Sequence, residues 1–254
     1  MITAQQVNEL RKRTGVSMMQ CKKALEETGG NEEKAIEILR KKGAAKAAEK
    51  ADRATKEGII VTKIENGKAA IVKLSCETDF VAKNSEFQSI ANNATDVALA
   101  KGAEAAIESQ EGAIKELFAK LGENMSIEVK VLEGDGLADY VHTNGKVGTI
   151  LNLSQADPEK GRDVAMQVTA MNPLVIRPDE VSEALVFKER DIWAEQLKNE
   201  GKPAEIIGKI MEGKERKFRE ECALMKQSFV KDGEKTVEQY LEGNTVTVFE
   251  RMAI

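Results

Sequence analysis

The stretch Cys76–Asn84, with the sequence CETDFVAKN, lies between a predicted strand and a predicted helix. Before it, apolar residues alternate over Ala70–Cys76, which is typical of a half-buried strand. After it, apolar residues recur at helical spacing over Phe87–Ala98. The sequence therefore predicts a strand-to-helix turn over Thr78–Asn84, which holds a carboxylate and a phenyl ring side by side, outside both apolar stripes.

This turn places Asp79 next to Phe80. One interpretation is that Phe80 folds back into the core while Asp79 caps a helical turn. The other is that both side chains are presented to a binding partner, because an exposed phenylalanine is costly and is often a binding residue. The spacing alone does not distinguish the two interpretations.

Two motifs resemble a known family. One is Glu77–Asn84 (ETDFVAKN), and the other comprises Leu10–Gly15 (LRKRTG) and Met18–Leu25 (MMQCKKAL). Together they closely resemble the bacterial elongation factor Ts family, and the resemblance extends from Thr3 to about Phe249. Members of this family are guanine-nucleotide exchange factors for the GTPase elongation factor Tu.

Length and charge limit the class of protein. The chain has 254 residues, enough for about two domains, and a formal net charge of −5, which is a poor match for nucleic acid. No apolar run approaches the roughly 18 residues of a membrane span, and the N-terminus lacks the features of a signal peptide. We therefore expect no direct nucleic-acid or membrane partner, and the three widely spaced cysteines, without a disulfide pattern, predict a reducing, cytoplasmic location.

Enzyme signatures are missing from the sequence. His142 is the only histidine, so a catalytic triad or a histidine-based metal site has almost nothing to use. The glycines form no phosphate-binding loop. The cysteines at 21, 76 and 222 are far apart, without disulfide or metal spacing, and we expect each to be a small buried residue. We expect no enzyme activity, no cofactor and no bound metal.

The periodicity predicts an α+β fold that begins with a three-helix bundle in residues 1–44. Thr3, Ser17 and Asn31 are the predicted helix caps, and Gly43 is the predicted stop. The resemblance implies that this bundle is a ubiquitin-associated-like domain. A helical linker, residues 45–57, follows. Its basic residues could form a nucleic-acid patch, but we favour a solvated linker because acidic residues dilute the charge and aromatic residues are missing.

An internal duplication predicts two α+β core subdomains with small antiparallel sheets, in residues 58–136 and in residues 137–178 with 224–254. Asn66-Gly67 and Asn144-Gly145 each separate two strand patterns, and a helix pattern follows each pair of strands. The first of these helices carries a capping-box signal at Ser85. When the two turns are superposed, Asp79-Phe80 falls opposite Asp157-Pro158.

An insertion, residues 179–223, has two helical stripes around the break at Gly201–Pro203. It predicts an antiparallel coiled-coil hairpin, which the resemblance also implies. Trp193 lies one step off its stripe and is either a contact residue or a packing residue at the base of the hairpin. The stripes comprise Val181, Leu185 and Ile192 on the first helix, and Ile207, Ile210, Met211 and Phe218 on the second.

The resemblance implies a specific site. Thr78, Asp79, Phe80 and Val81 would dislocate the Mg²⁺ ion of the GTPase, with Phe80 as a wedge. Partner-binding residues would be Arg11, Met18, Met19 and His142. Of the two methionines, Met18 fits the bundle core better than Met19. His142 is equally a candidate for a purely structural role.

The partner implied by the resemblance is elongation factor Tu, GDP-bound or nucleotide-free, in a heterodimer or a dimer of heterodimers. Some members of the family continue into a further C-terminal helix, and the segment from Phe249 to Ile254 does not resemble the beginning of one. Two other functions remain open from the residues: a binding adaptor without exchange activity, and, more remotely, a hydrolase or metal enzyme.

Overall fold

The structure is a computed structural model that describes residues 2–50, 53–200 and 203–254, without the side chains of residues 44–50, 204 and 205. Residues 51 and 52 of the predicted linker, and 201 and 202 of the predicted coiled-coil break, lie outside the described residues. The chain forms two compact units. The first comprises Met1–Val131, Val141–Gly148 and Met252–Ile254, and the second Leu132–Tyr140 and Thr149–Arg251. Helices and small sheets in both units confirm the α+β class.

Three helices form the N-terminal bundle: α1 (Ala4–Thr14), α2 (Met18–Glu27) and α3 (Glu32–Lys50). The predicted caps are present, because side-chain oxygens of Thr3, Ser17 and Asn31 accept hydrogen bonds from the third backbone N–H of each following helix. The buried core of the bundle is small and apolar, as expected for a unit of about forty residues. It contains Val7, Leu10, Val16, Cys21, Ala24, Leu25, Ala35 and Leu39.

The predicted stop at Gly43 is wrong, since α3 continues through it to Lys50. The glycine has another use at this position. A Cβ atom added to Gly43 would lie 3.1 Å from the Cβ atom of Ala119, on a helix of the same unit. The absence of a side chain therefore lets the two helices approach closely, a contact that local periodicity does not encode.

The first sheet has the order β1-β2-β3, with β1 at Glu57–Glu65, β2 at Lys68–Cys76 and β3 at Met125–Glu133. The first two strands form the predicted antiparallel hairpin, and its turn residues Asn66 and Gly67 both have positive φ, as a two-residue hairpin turn requires. Three helices follow the hairpin: α4 (Asp79–Ala82), α5 (Ser85–Lys101) and α6 (Ala103–Leu121). Their apolar faces form one core with alternate residues of β2.

Two details of the strand-to-helix turn differ from the prediction. The cap of α5 is Asn84, whose Oδ1 accepts from the N–H groups of Glu86 and Phe87, so Ser85 is already helical. The turn also contains one helical turn of its own, α4. Val81 and Ala82 are buried in the core, whereas Asp79 and Phe80, the two residues predicted to lie outside the apolar stripes, are partly and almost fully exposed, respectively.

The second sheet has the order β4-β5-β8, with β4 at Leu137–Val141, β5 at Val147–Leu153 and β8 at Val246–Ala253. The strand pattern before Asn144-Gly145, Tyr140–Thr143 in the sequence, predicts a first strand that extends to Thr143, and this prediction is wrong. That strand ends at Val141, and a loop over residues 142–146 makes the connection. The helix α7 (Pro158–Met171) follows β5, and Asp157 caps it with Pro158 in its first turn, as the superposition of the two turns indicated.

The insertion forms two helices, α8 (Glu183–Asn199) and α9 (Ala204–Cys222). The buried residues of α8 are Val186, Trp193 and Leu197, whereas the predicted stripe residue Ile192 is exposed. The predicted stripe was thus wrong by one residue. The ring of Trp193 packs edge-on against Phe218 of α9, with centroids 5.7 Å apart, so Trp193 is a packing residue of the hairpin.

The segment between α9 and β8 was not predicted. It contains a two-stranded sheet of β6 (Ser228–Phe229) and β7 (Asp232–Thr236), followed by α10 (Val237–Leu241). These elements are too short for a periodic signal. Cys222, at the end of α9, is only half-buried, which corrects the prediction that all three cysteines are buried. Among the described residues, none of the helices has the length and apolar character to cross a membrane.

Candidate partner-binding site

Phe80 is the most exposed large apolar side chain among the described residues, with 82% of its surface accessible. Its neighbours Val81 and Ala82 are 5% and 7% exposed and belong to the core. In a single helical turn, successive side chains are about 100° apart, so two buried residues turn the preceding one outward. The phenyl ring is thus exposed on a short helix whose next two residues, Val81 and Ala82, fix it to the core.

Thr78 precedes this helix and is held by a residue distant in sequence. The carboxylate of Glu123 accepts hydrogen bonds from the backbone N–H of Thr78, at 3.0 Å, and from its hydroxyl, at 2.7 Å. The thiol of Cys76 donates to the backbone oxygen of Thr78, at 3.2 Å. Burial, the main cause, and the charge of Glu123 raise the pKa of this thiol to about 12, so it stays protonated as a donor.

Asp79 carries the negative charge beside the exposed ring. Its carboxylate accepts a hydrogen bond from Lys83 Nζ, at 2.7 Å, one helical turn further on. This hydrogen bond is the main cause of a lowered pKa of Asp79, and the charge of Lys146 contributes a smaller effect in the same direction. Asp79 is therefore ionised at neutral pH and remains partly accessible.

His142 begins the loop that joins β4 to β5, and its side chain is exposed. The loop is attached to β1, because the backbone oxygen of Gly145 accepts from the N–H of Ile60 at 2.7 Å, and Lys146 Nζ lies 2.6 Å from Glu57. The charge of Lys146 is also one of the causes of the lowered pKa of Asp79, after the hydrogen bond and charge of Lys83. The structure therefore brings the His142 loop and the Asp79-Phe80 turn together in the first unit.

Arg11, Met18 and Met19 lie on α1 and α2 of the bundle, outside this cluster of charged residues. All three side chains are exposed, with Met18 at 41% and Met19 at 64%. Met18 is less exposed than Met19, as expected, but it is not a core residue, since Cys21, Ala24 and Leu25 supply the core face of α2. Two adjacent exposed methionines form a soft apolar surface, of a kind that adapts to partner surfaces.

Several residues of the site were not foreseen from the sequence. Glu123 accepts a hydrogen bond from Thr78, and Lys83 donates one to Asp79. The charge of Lys146 lowers the pKa of Asp79. Lys83 stands four residues after Asp79, a spacing that could have indicated the pair. Glu123 has no comparable local signal. In the described part of the chain, no group of three or more histidine, cysteine or acidic residues is placed to hold a metal ion.

Comparison with known proteins shows the family of this chain. Residues 77–254 match the family model of elongation factor TS. The chain belongs to the elongation factor Ts family. It is 41% identical to an elongation factor Ts of Hydrogenobaculum sp. (strain Y04AAS1) over 97% of this chain and 96% of the relative. Against an elongation factor Ts of Vibrio cholerae the identity is 45%, over 100% of this chain and 91% of the relative.

A third relative, an elongation factor Ts of Deinococcus deserti, is 41% identical over 98% of both chains. The similarity to the elongation factor Ts family thus includes the N-terminal bundle as well as the region that the family model matches. This places the chain among the protein-synthesis factors of translation elongation. The exposed Phe80 and its supporting residues lie within the matched region.

Proposed function

We propose that this protein is a guanine-nucleotide exchange factor that binds elongation factor Tu in its GDP form and promotes the release of GDP. The exposure of Phe80 beside the ionised Asp79 is the observation that carries the proposal. A large aromatic side chain kept in water by a folded scaffold is costly unless a partner covers it. The exchange reaction needs no covalent chemistry from the factor.

In this proposal, the short helix α4 enters the GTPase beside its Mg²⁺ site. Phe80 acts as the wedge, and Asp79 perturbs the water and carboxylate shell of the ion. Thr78 and Val81 have supporting roles, because Thr78 is tied to Glu123 and Val81 is buried in the core. The Mg²⁺ ion belongs to the partner and is not a cofactor of this chain.

The effect on GDP follows from the coordination chemistry of magnesium. Mg²⁺ requires near-ideal octahedral geometry, so a small displacement of its ligands is expensive. When the ion is lost, the phosphate charge of GDP is left uncompensated and the nucleotide dissociates faster. A rigid wedge is suited to this task, since a flexible side chain would yield instead of displacing its target.

The N-terminal bundle would bind the GTPase domain through Arg11, Met18 and Met19, and the loop with His142 would reach the third domain. The four side chains are all exposed. Contacts at two distant places would orient the factor before the wedge enters. The complex would be a heterodimer or a dimer of heterodimers.

The coupling between factor and nucleotide must be reciprocal. If the factor weakens GDP binding, then GDP weakens binding of the factor by the same ratio. A coupling free energy of about 3 kcal/mol corresponds to more than 100-fold in affinity. Incoming nucleotide therefore expels the factor, and each molecule can serve many GTPase molecules.

Release of a fluorescent GDP analogue from elongation factor Tu, chased with excess unlabelled GDP, tests the proposal. We expect strong acceleration by the intact protein and a large loss with the Asp79→Ala, Phe80→Ala double variant. Phe187→Ala is the matched control, because Phe187 is also an exposed phenylalanine but lies on α8. The control should accelerate release like the intact protein.

Binding and exchange are measured separately in the same series, with binding followed by titration against the nucleotide-free GTPase. An intact protein that binds the GTPase without accelerating GDP release would contradict the proposal and indicate an adaptor. Equal loss of activity in the Phe187→Ala control would show that the assay reports a general surface effect rather than the turn.

A further inference from the structure

We infer that Glu123 is a positioning residue for nucleotide exchange: its carboxylate fastens Thr78 and thereby fixes the angle at which Phe80 is presented. This inference rests on the proposed exchange function. It concerns a residue that does not itself need to touch the GTPase, since Glu123 is half-buried and its two carboxylate oxygens are occupied by Thr78.

The hydrogen bonds of Thr78 are unusual for a helix cap. Thr78 occupies the cap position of α4, where a threonine hydroxyl ordinarily accepts from a backbone N–H of the first turn. Here its side chain makes no such bond to the helix. The hydroxyl and the backbone N–H of Thr78 both point to Glu123 instead. The residue that begins the helix is thus held from outside the helix.

A second carboxylate makes the reverse connection. Glu77 Oε1 accepts from the backbone N–H of Asn124, at 2.7 Å. The two segments are therefore joined by reciprocal hydrogen bonds. The backbone N–H of Thr78 donates to the carboxylate of Glu123, and the backbone N–H of Asn124 donates to the carboxylate of Glu77. Hydrogen bonds to an ionised carboxylate are about twice as strong as neutral ones, so this reciprocal pair is a firm junction.

The residues on either side of Glu123 are held by hydrogen bonds of their own. Gly122 ends α6 in the left-handed conformation, with φ of 75°, and its N–H donates to the oxygen of Phe118 at 2.7 Å. Asn124 Nδ2 also donates to the backbone oxygen of Arg53, at 2.9 Å. Phe118 is buried. Glu123 therefore lies in the short connection between the end of α6 and the start of β3.

The short helix α4 needs contacts outside itself to remain folded. An isolated helix of one turn is unstable, because nucleation fixes several dihedral angles for a single hydrogen bond. The helix α4 has only four residues, Asp79–Ala82. The burial of Val81 and Ala82 fixes one side of it. Glu123 fixes its beginning, and the two constraints together define the direction of Phe80.

The test uses Glu123→Gln in the full-length protein, which keeps the size of the side chain but removes its charge. We expect the maximal rate of GDP release at saturating factor to fall about tenfold, whereas affinity for the nucleotide-free GTPase changes less than about threefold. Glu111→Gln is the matched control, because the carboxylate of Glu111 pairs with Lys115 on the exposed side of α6. Its release rate should equal that of the intact protein.

Hydrogen exchange followed by mass spectrometry supplies a readout that is independent of the GTPase. The N–H groups of Thr78, Ala82 and Lys83 donate to Glu123, Thr78 and Asp79, respectively, so their protection reports the order of the turn. We expect Glu123→Gln to reduce protection in a peptide over residues 77–87, while peptides from β2 and α5 stay protected. Thr78→Val, which removes the hydroxyl, should also reduce protection, whereas Thr78→Ser, which keeps it, should leave protection at the level of the intact protein.

Three outcomes would overturn the inference. Protection and release rate could both remain at the level of the intact protein, or protection could fall while the release rate is unchanged, or protection could fall throughout the unit, as expected of a merely structural residue. Failure of the intact protein to accelerate GDP release would instead remove the proposed function, and this role with it. The protection data would still show whether Glu123 orders the turn, so the two failures are distinguishable.

Discussion

Phe80 is almost fully exposed to solvent, and Val81, the next residue, is buried in the core beneath it. The two side chains leave one short helix about 100° apart, so that one points toward solvent and the other packs against the apolar faces of β2 and α5. We therefore expect Phe80 to contribute to binding and Val81 to contribute to the stability of the fold.

This division predicts opposite effects of two alanine substitutions. Phe80→Ala should lower the rate of GDP release at least about tenfold but change the free energy of unfolding by less than about 0.5 kcal/mol, because an exposed ring contributes little to folding. Val81→Ala should destabilise the protein by about 1–3 kcal/mol through the lost methyl groups and the cavity they leave. Urea unfolding and the release assay measure the two effects. Equal losses of stability in both variants would contradict the division.

The ion pair between Asp79 and Lys83 predicts a specific pH dependence. The pKa of Asp79 is lowered and that of Lys83 is raised, each mainly by their mutual hydrogen bond. The pair therefore stabilises the turn above the unfolded pKa of aspartate and is lost as pH falls through the lowered value. At the alkaline end, it is lost as pH rises through the raised pKa of Lys83, above the ordinary value of 10.5.

Titration of the Asp79 carboxyl by NMR checks this expectation. In the intact protein the midpoint should lie below the usual range of aspartate, and in Lys83→Met it should move back up, since the hydrogen bond is gone. Between about pH 6 and pH 9 neither group titrates, so GDP release should not depend on this pair in that range. A midpoint that stays low in Lys83→Met would assign the shift to another neighbour.

The cysteines should differ in reactivity in the folded protein. The thiolate is the reactive form, and with a pKa of about 12 the thiol of Cys76 is ionised to only about 1 part in 10⁴ at about pH 8. Cys21 and Cys76 are both buried, whereas Cys222 is half-buried at the end of α9. Burial, the main cause, and the charges of Glu221 and Glu189 raise the pKa of Cys222 as well, so it should react more slowly than free cysteine.

Labelling with iodoacetamide and mass spectrometry of the peptides tests this order. In native protein, Cys222 should be modified first and the other two only after unfolding. Cys222→Ser should remove the fast label without altering the rest, which serves as the control. Rapid native labelling of Cys76 would show that the strand end at the turn opens readily, contrary to the tight junction described above.

The coiled-coil hairpin predicts a contrast between two neighbouring residues of α8. Trp193 is buried against Phe218, so Trp193→Ala should destabilise the hairpin by about 3–5 kcal/mol. Ile192 is exposed, and Ile192→Ala should change the stability by less than about 0.5 kcal/mol. Thermal unfolding followed by circular dichroism measures both. If Ile192→Ala destabilised the protein more than Trp193→Ala, the result would support the stripe predicted from the sequence and contradict the observed packing.

The sequence was most informative where one short segment contains the whole signal. The hairpin turn at Asn66-Gly67 and the helix caps at Thr3, Ser17 and Asn31 were predicted at the observed residues. Each depends on neighbours within three or four positions. The resemblance to the elongation factor Ts family likewise came from two continuous motifs, and the comparisons confirm it.

Predictions failed where a distant part of the chain changes the local preference. Gly43 is a helix stop by its chemistry, but packing against Ala119 lets the helix continue through it. Met18 fits the core face of its helix by spacing, yet Cys21, Ala24 and Leu25 are sufficient to fill that face. The stripe of α8 was wrong by one residue, because Val186 and Trp193 are buried and Ile192 is exposed.

By itself, the sequence determined the strand, the turn and the helix around Cys76–Asn84, the hairpin before them and the family to which the chain belongs. It left both directions open for Phe80, because a turn has no periodicity from which to infer a buried face. Only the tertiary structure decided this direction, by burying Val81 and Ala82 and by bringing Glu123 to Thr78 from 45 residues along the chain. A hydrogen bond between such distant residues depends on how helices and strands pack, and local spacing does not record it.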